Sequence, residues 1–310
     1  MNDLPLISLC IATYNQEGCV ADAVKSAIAQ DYPNLEVVIS DDCSKDRTLA
    51  VVNDALCGRK AIVLANDKNV GVARNYERAY RAAHGEILVT SGGDDISMPN
   101  RVSRIAERWI ADGRKATVIS HGGMELDKNA TPTGRYLHPG ELLFPEGWGM
   151  AYSRRVIDSF PKIEFGDTYE DLVFSLRGAF LGSLLKIDEP LVKHRVGGFS
   201  SLVGQSRRSA ERRTSSAVVN GMAQAARDLE FLRGKPDGRS RQEWAAAIKK
   251  RMTYNKALLR LVDSESFFTR LMAYVELVWR SKTAIIRFPY VLPRSIGDWM
   301  LSAYDSRRKP

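Results

Sequence analysis

The sequence predicts an α/β fold with a mostly parallel sheet, followed by a helical C-terminal extension. Over residues 5–92, short apolar runs alternate with segments of helical periodicity, which is the pattern of a parallel sheet. These runs end in polar clusters, and beyond residue 205 the composition becomes rich in Arg, Ala, Ser and Gln. The 310 residues, 44% apolar and 26% charged, can form one sizeable core plus an appendage.

The N-terminal part of the chain contains four predicted strands and three predicted helices in alternation. The first helix is indicated by Val20, Val24, Ala27 and Ile28, whose spacing places them on one face, and Pro33 stops it. The expected strands are 7–12, 36–40, 61–64 and 86–90, and the expected helices are 21–30, 47–55 and 72–83. The polar clusters should therefore meet at the carboxyl edge of the sheet, where open α/β sheets bind ligands.

The pattern is less regular after residue 115. A strand is expected over 116–120 and a helix over 171–181, with a stretch rich in Gly and Pro between them. We place a boundary near residue 205, which divides the chain into an α/β domain over 1–205 and a basic helical extension over 206–310.

Charge is distributed unevenly along the chain. Residues 1–199 contain 23 basic and 27 acidic side chains, a balance of −4, whereas residues 200–310 contain 22 and 10, a balance of +12. Such asymmetry points to a polyanionic partner for the extension, either nucleic acid or an anionic membrane surface. Of the two, nucleic acid is the less expected partner.

The cysteines and the N-terminus bear on the expected compartment. Cys10, Cys19, Cys43 and Cys57 show no C-x-x-C spacing, so neither a zinc site nor a disulfide framework is indicated. The N-terminus has no basic region followed by an apolar run, and no stretch has the ~18 apolar residues of a membrane span. We expect a reduced, cytoplasmic protein that can attach peripherally to the inner face of the cell membrane.

Five motifs in a fixed order are the most specific feature of the sequence. They are Ile-Ala-Thr-Tyr-Asn at 11–15, Asp-Asp-Cys-Ser-Lys-Asp-Arg-Thr at 41–48, Asn-Val-Gly-Val-Ala-Arg-Asn at 69–75, Asp-Asp-Ile-Ser-Met-Pro-Asn-Arg at 94–101 and Glu-Asp-Leu at 170–172. In order and spacing they resemble the inverting family-two glycosyltransferases, including those of bacterial surface-polysaccharide assembly. The resemblance covers residues 5 to about 200 and implies the Rossmann-like GT-A fold and a nucleotide-sugar donor, expected to be a UDP-sugar.

The resemblance assigns a nucleotide pocket to the first three motifs. Ala12, Thr13 and Tyr14 would form its floor, and Asp42 would accept a hydrogen bond from the ring N–H of the base. Arg74 would contact a phosphate, since a cation at the start of a helix is otherwise unfavourable. The alternatives are that residues 41–46 only cap the following helix and that Arg74 is simply solvated.

The fourth motif indicates a metal-bound diphosphate. A divalent cation held by carboxylate can neutralise the leaving pyrophosphate, and we expect Mn²⁺ or Mg²⁺ on Asp94, with Asp95 beside it. The family often has Asp-x-Asp-Asp here, whereas Gly92 replaces the first acid in this chain. A turn that merely favours Gly and Asp is the alternative.

The last motif supplies the expected base. Inversion is a single in-line displacement, so Asp171 is expected to take the proton of the acceptor hydroxyl, with Glu170 positioning the acceptor. Trp148 would offer an apolar face to an acceptor sugar. The alternatives are a helix N-cap for the two acids and a core position for Trp148.

A phosphate partner is expected late in the α/β domain. The family frequently has a His there, whereas this chain reads Lys-His-Arg-Val-Gly-Gly at 193–198, with Gly at the corresponding place. Arg195 is therefore the expected phosphate ligand and His194 the weaker candidate, because the charge of Arg is permanent. His84 and His121 are expected to be structural.

The extension contains a basic amphipathic segment. Phe267, Phe268, Leu271, Met272, Val275, Val278 and Trp279 recur at helical spacing, with Arg270, Arg280, Lys282 and Arg287 around them. Such a helix can lie in an anionic membrane interface, or it can pack against its own domain or a second subunit of a homo-oligomer. In the membrane case, the expected acceptor is lipid-linked; otherwise it is a glycan hydroxyl.

Three other functions are alternatives to sugar transfer. A nucleotidyltransferase would need a Gly-rich basic loop after the first strand, but 13–19 contains only Gly18 and no Lys or Arg. A non-catalytic polyanion- or glycan-binding protein on a degenerate transferase domain remains open because of Gly92. A dehydrogenase is disfavoured, since no G-x-G-x-x-G follows the first strand.

Overall fold

A computed structural model describes residues 4–141, 145–196, 206–232, 240–281, 287 and 290–292. The glycine-for-histidine position at 197–198 and the boundary near residue 205 lie outside these residues. The segments of 282–310 that would extend the basic amphipathic helix are also largely outside them.

The first half of the sheet is parallel, as the alternating pattern predicted. Its strands are β1 (Ile7–Thr13), β2 (Leu35–Asp41), β3 (Ile62–Ala65) and β4 (Ile87–Gly92), in the order β3-β2-β1-β4. The helices between them are α1 (Val20–Ile28), α2 (Thr48–Leu56) and α3 (Val72–Ala82). Each predicted element is confirmed to within about two residues.

Register places the polar strand ends side by side. Thr13 pairs with Asp41 across β1 and β2, and Ala12 pairs with Gly92 across β1 and β4. β1, β2 and β4 are largely buried because helices cover both faces of the sheet, which explains their continuous apolar sequences. The carboxyl ends of three strands therefore form one edge where side chains can meet.

The second half of the sheet is mixed. It contains β5 (Ile96–Ser97), β6 (Val118–Leu126), β7 (Pro132–Leu137), β8 (Met150–Ser153) and β9 (Leu184–Arg195), together with α4 (Arg101–Ala111), α5 (Arg154–Asp158) and α6 (Glu170–Leu181). β8 lies between β4 and β6 and runs antiparallel to both, and β9 continues the sheet beside β6. A 3₁₀ turn over Gly147–Gly149 leads into β8. The predicted strand at 116–120 and helix at 171–181 correspond to β6 and α6.

Three further helices follow. They are α7 (Arg207–Phe231), α8 (Arg241–Asp263) and α9 (Phe267–Arg280), each preceded by a Ser whose side chain caps the helix N-terminus. α7 packs against α6 in a shared apolar core that includes Leu176, Phe180, Met222 and Leu229. Within the described ranges, no helix is long and apolar enough to cross a bilayer.

Candidate functional site

A cavity of about 700 Å³ opens at the carboxyl ends of β1, β2 and β4. It brings together most of the site residues that the motifs indicated. Its walls include Ala12, Thr13, Tyr14, Asp42, Arg74, Asp94 and Glu170. These side chains come from six different elements or loops, so their convergence is a property of the fold and not of neighbouring sequence.

The Asp42 side chain is buried and shapes one wall of the cavity. Its carboxylate accepts hydrogen bonds from the backbone amides of Val70 (2.8 Å) and Gly71 (3.0 Å), and from Asn66 Nδ2 (3.0 Å). The loop before α3 is therefore held against the end of β2. Asp42 does not contact the start of α2; Asp46, which precedes the N-cap residue Arg47, accepts the backbone N–H of Thr48 there (2.9 Å).

Asp94 and Asp95 lie in different environments. Asp95 is buried, and its Oδ1 is 2.7 Å from His194 Nδ1. Burial opposes protonation of His194, but the hydrogen bond to Asp95 raises the pKa of the imidazole overall. Asp94 lines the cavity, where burial and then the charge of Asp95 raise its pKa to about 6. A cation in the cavity would stabilise the charged form of Asp94.

The described residues fit a metal ion with a single protein ligand. Among them there is no group of three or more His, Cys, Asp or Glu side chains that could hold a metal. Asp95, the second expected ligand, is already paired with His194. A Cβ at Gly92 would lie 2.7 Å from Asp94 Oδ1 and 3.1 Å from Asp95 Oδ2, so an acid there would force both carboxylates to move. A metal ion on Asp94 would need oxygen atoms of the nucleotide-sugar diphosphate and water molecules to complete its coordination.

The acidic pair begins α6 at the far side of the cavity. Tyr169 occupies the N-cap position and makes no capping hydrogen bond, so neither acid is the N-cap. Burial raises the pKa of both carboxyls, and the charge of Asp171 raises that of Glu170 further. Glu170 lines the cavity, and both carboxylates lie close to the 147–149 turn.

The turn over 147–149 approaches the acidic pair closely. A Cβ at Gly147 would lie 2.8 Å from Glu170 Oε1 and 3.3 Å from Asp171 Oδ2. The Trp148 ring is buried and stacks on the His194 ring, with centroids 5.7 Å apart. This position favours a core role for Trp148, which joins the turn to the pair of His194 and Asp95.

Arg101 holds these parts together from the middle of the domain. Its fully buried guanidinium donates to the carbonyls of Thr90 (2.6 Å) and Trp148 (3.1 Å), and to Nε2 of His121 (3.0 Å). Burial and the neighbouring Arg101 lower the pKa of His121 well below its usual value, so the imidazole is neutral. His121 is thus structural, as expected. Arg101 belongs to the fourth motif, yet sequence reasoning assigned it no role.

The two arginines expected at phosphate occupy different positions. Arg74 is exposed, lines the cavity and donates to the carbonyl of Glu164 (2.6 Å). Arg195 is buried outside the cavity wall, where its Nε donates to the backbone carbonyl of Asp94 (3.3 Å) and its Nη2 lies 3.7 Å from Asp22. Arg195 therefore supports the Asp94 segment from behind.

Two arginines of the helical extension were missed by sequence reasoning. Arg213 of α7 lines the cavity together with Asp94 and Glu170. Arg251 of α8 lies near Asp171, where its positive charge acts to lower the pKa of that carboxyl. The sequence does contain a feature that indicates close packing of α7 on the α/β domain. A small residue recurs at every fourth position, at Ala217, Gly221 and Ala225. A Cβ at Gly221 would lie 2.7 Å from Thr168 Oγ1, which shows how closely α7 approaches the segment before α6.

Comparison with known proteins agrees with the family that the motifs resemble. Residues 8–156 match the model of Glycosyl transferase family 2. One curated relative is the succinoglycan biosynthesis protein ExoO of Rhizobium meliloti, which is 32% identical over 127 residues. That match covers 41% of this chain and 36% of ExoO, so the chain spans about a third of the relative's length.

Solved structures share the fold at low sequence identity. S. aureus TarS 1-349 in complex with UDP has a TM-score of 0.58 at 16% identity, covering 90% of this chain and 89% of TarS 1-349. The mannosyltransferase PcManGT from Pyrobaculum calidifontis, in complex with GDP-Man and Mn²⁺, has a TM-score of 0.57 at 17% identity, covering 98% and 88%. The predicted GT-A fold with a helical C-terminal portion is confirmed.

Proposed function

We propose that this chain, whose residues 8–156 match glycosyl transferase family 2, moves a sugar from a nucleoside diphosphate to a hydroxyl of a glycan or lipid-linked acceptor, with inversion. The observation that carries the proposal is the convergence of Asp94, Arg74 and Glu170 at the strand-end cavity, with Asp171 as the next residue of α6. A UDP-sugar is the proposed donor. The five sequence motifs and the UDP complex of the structurally similar TarS support this choice.

The acidic pair suggests how donor and acceptor are arranged. The cavity, with Glu170 on its wall, has room for the nucleotide and its sugar. Asp171 is the next residue of α6 and adjoins the 147–149 turn, and the proposed acceptor approaches from this turn. An in-line displacement requires the base and the leaving group to lie on opposite faces of the sugar.

The reaction needs one proton transfer and one bond exchange. Asp171 takes the proton of the acceptor hydroxyl as the oxygen attacks the anomeric carbon, and the bond from that carbon to the diphosphate oxygen breaks. The nucleoside diphosphate leaves with the bonding electron pair, and its charge is stabilised by Arg74 and Arg213 on the cavity wall. Mn²⁺ or Mg²⁺ on Asp94, when bound, would neutralise the same charge as a Lewis acid.

Donor binding is the first test. In a thermal-shift series of nucleotide sugars, a UDP-sugar with Mn²⁺ should raise the melting temperature, because a ligand that binds only the native state stabilises it. Burial and the charge of Asp95 disfavour the charged form of Asp94, and a bound cation would stabilise it. The thermal shift should therefore shrink when EDTA removes the cation. If EDTA leaves the thermal shift unchanged, Arg74 and Arg213 bind the diphosphate without a metal ion.

Asp171→Asn tests the chemistry. The variant should keep the donor-induced shift but lose turnover by roughly 100- to 10,000-fold, the usual effect of removing a general base. Asp158→Asn, an exposed carboxylate at the end of α5, is the matched control and should transfer sugar normally. Normal turnover in Asp171→Asn combined with its loss in Glu170→Gln would move the base to Glu170. A donor that binds without any turnover would favour a non-catalytic binding protein.

A further inference from the structure

α9 presents two faces with different partners. On its inner face, Ala273 and Leu277 pack against Leu258 and Leu261 of α8 in a buried cluster. Leu271 and Val278, two of the residues in the predicted stripe, also pack against this cluster. Packing against its own domain therefore accounts for only part of the apolar segment.

The outer face of α9 is an exposed apolar stripe. Phe268, Met272, Val275 and Trp279 follow one another at steps of four, three and four residues, so they lie in one row. Their exposed fractions are 69%, 54%, 52% and 93%. At 1.5 Å per residue the row is about 16 Å long, which makes it a continuous patch and not a scattered set of apolar side chains.

The stripe also walls a shallow groove. The groove has a volume of about 640 Å³ and is bounded on the α8 side by Arg260. Arg260 pairs with Glu276 of α9, so a mutually neutralised ion pair lies at this edge. Arg270, expected from the sequence to border the stripe, is instead buried and donates to the backbone carbonyl of Val291.

Charge distinguishes between possible occupants of this face. Residues 200–310 carry 22 basic and 10 acidic side chains, a net charge of +12. A second copy of the chain would bring another strongly positive segment to the same place, whereas an anionic lipid surface has both the apolar and the negative character that the segment requires. A Trp at the end of an apolar row is also typical of side chains in the membrane interface.

We propose that the outer face of α9 docks the protein on an anionic lipid bilayer. This docking does not depend on the proposed function. The apolar stripe enters the interface, and the basic residues of the extension hold the protein near the charged headgroups.

Co-sedimentation with vesicles tests the docking. The full chain should bind vesicles of equal parts phosphatidylglycerol and phosphatidylcholine, with less binding as salt is raised. The double variant Phe268→Ser and Trp279→Ser should reduce the bound fraction by roughly tenfold or more, because it removes two large apolar side chains from the interface. The control is Phe231→Ser on α7, which removes a 55% exposed apolar side chain outside the groove and should bind normally.

Three results would overturn the docking proposal. They are equal binding to pure phosphatidylcholine, no binding to either vesicle, and a dimer in light scattering that the double variant abolishes. The last result would identify a second copy of the chain as the occupant. Donor-induced thermal shifts, measured on the same variants, should be unchanged; their absence in every variant alongside normal vesicle binding would reject the proposed function and leave the docking intact.

Discussion

At the scale of single residues, the acidic pair at the start of α6 has the most unusual chemistry. Glu170 is 7% exposed, and both carboxyls lie where burial disfavours the charged form. The first turn of a helix partly compensates, since its free amides favour negative charge. Arg251 adds a further favourable charge for Asp171. The balance still raises the pKa of both carboxyls above the ordinary range.

The raised pKa of Asp171 predicts the pH dependence of transfer. Asp171 can accept a proton only when it is charged, so turnover should rise as pH passes through its raised pKa, near neutrality instead of near the ordinary value of about 4. The measurement is kcat against pH at saturating donor. Asp158→Asn should reproduce the native profile. A rise complete by about pH 5 would mean that Asp171 is not the titrating base.

The raised pKa of Asp171 also makes the stability of the fold depend on pH. A carboxyl whose folded pKa is raised contributes stability below its unfolded pKa, and that contribution is lost as pH rises through the folded pKa. Charging Asp171 therefore destabilises the fold at and above neutral pH. Asp171 therefore carries a cost in stability, which is typical of groups that serve chemistry.

Arg213 carries the second prediction at this scale. Arg213→Gln should weaken binding of UDP by roughly 10- to 100-fold, the usual loss when a charged hydrogen-bond partner is removed from a phosphate. Calorimetric titration with UDP and Mn²⁺ measures the effect. The neighbouring Arg212, which is 67% exposed and pairs with Asp263, provides the control Arg212→Gln. Equal affinities in the two variants would remove Arg213 from the donor site.

At the scale of elements, a buried ion pair joins α6 to α7. Nε of Arg177 is 2.7 Å from Asp228 Oδ2, and both side chains are fully buried. Gln224 Nε2 donates to Asp228 as well (3.0 Å), and Gln224 Oε1 accepts the backbone N–H of Glu164 (2.8 Å). The network holds α7 against the segment that leads into the acidic pair, so the geometry of the site depends on a helix outside the matched family region.

This pair should be far more important to stability than an exposed one. Asp228→Ala removes the closer carboxylate from the buried Arg177 charge and leaves only Glu77, at 3.9 Å. It should lower the free energy of unfolding by about 3 kcal/mol. Asp263→Ala breaks the exposed pair with Arg212 (3.1 Å) and should cost less than about 1 kcal/mol. Urea unfolding of both variants gives the comparison. Similar midpoints would show that α7 contributes little to the fold.

The elements also show where sequence patterns are informative. β1 to β4 were predicted because each is a short apolar run bounded by turn residues. This signal depends only on residues that are neighbours in the sequence. Sequence analysis did not name α4, although Val102, Ile105, Ala106 and Trp109 recur at helical spacing and are buried. β8 has only four residues, and its place between β4 and β6 depends on partners distant in the chain.

At the scale of the whole molecule, the two parts of the chain on either side of residue 205 differ in composition but share one site. The extension is basic, as its composition indicates. Yet α7 forms one wall of the cavity, and α8 places Arg251 beside Asp171. Part of the positive charge that suggested a distant polyanion thus lies next to the proposed donor and base, and the vesicle experiment addresses the remainder.

The sequence by itself determined the parallel half of the sheet, the resemblance to family-two glycosyltransferases and the candidate residues at the strand ends. Periodicity is local, and a residue that follows a parallel strand must lie at the carboxyl edge of the sheet. Only the tertiary structure decided that Asp95 is occupied by His194, that Trp148 is buried, that Arg195 supports the site from behind and that Arg213 faces the cavity. Each of these depends on contacts between residues far apart in the chain, which no local pattern encodes.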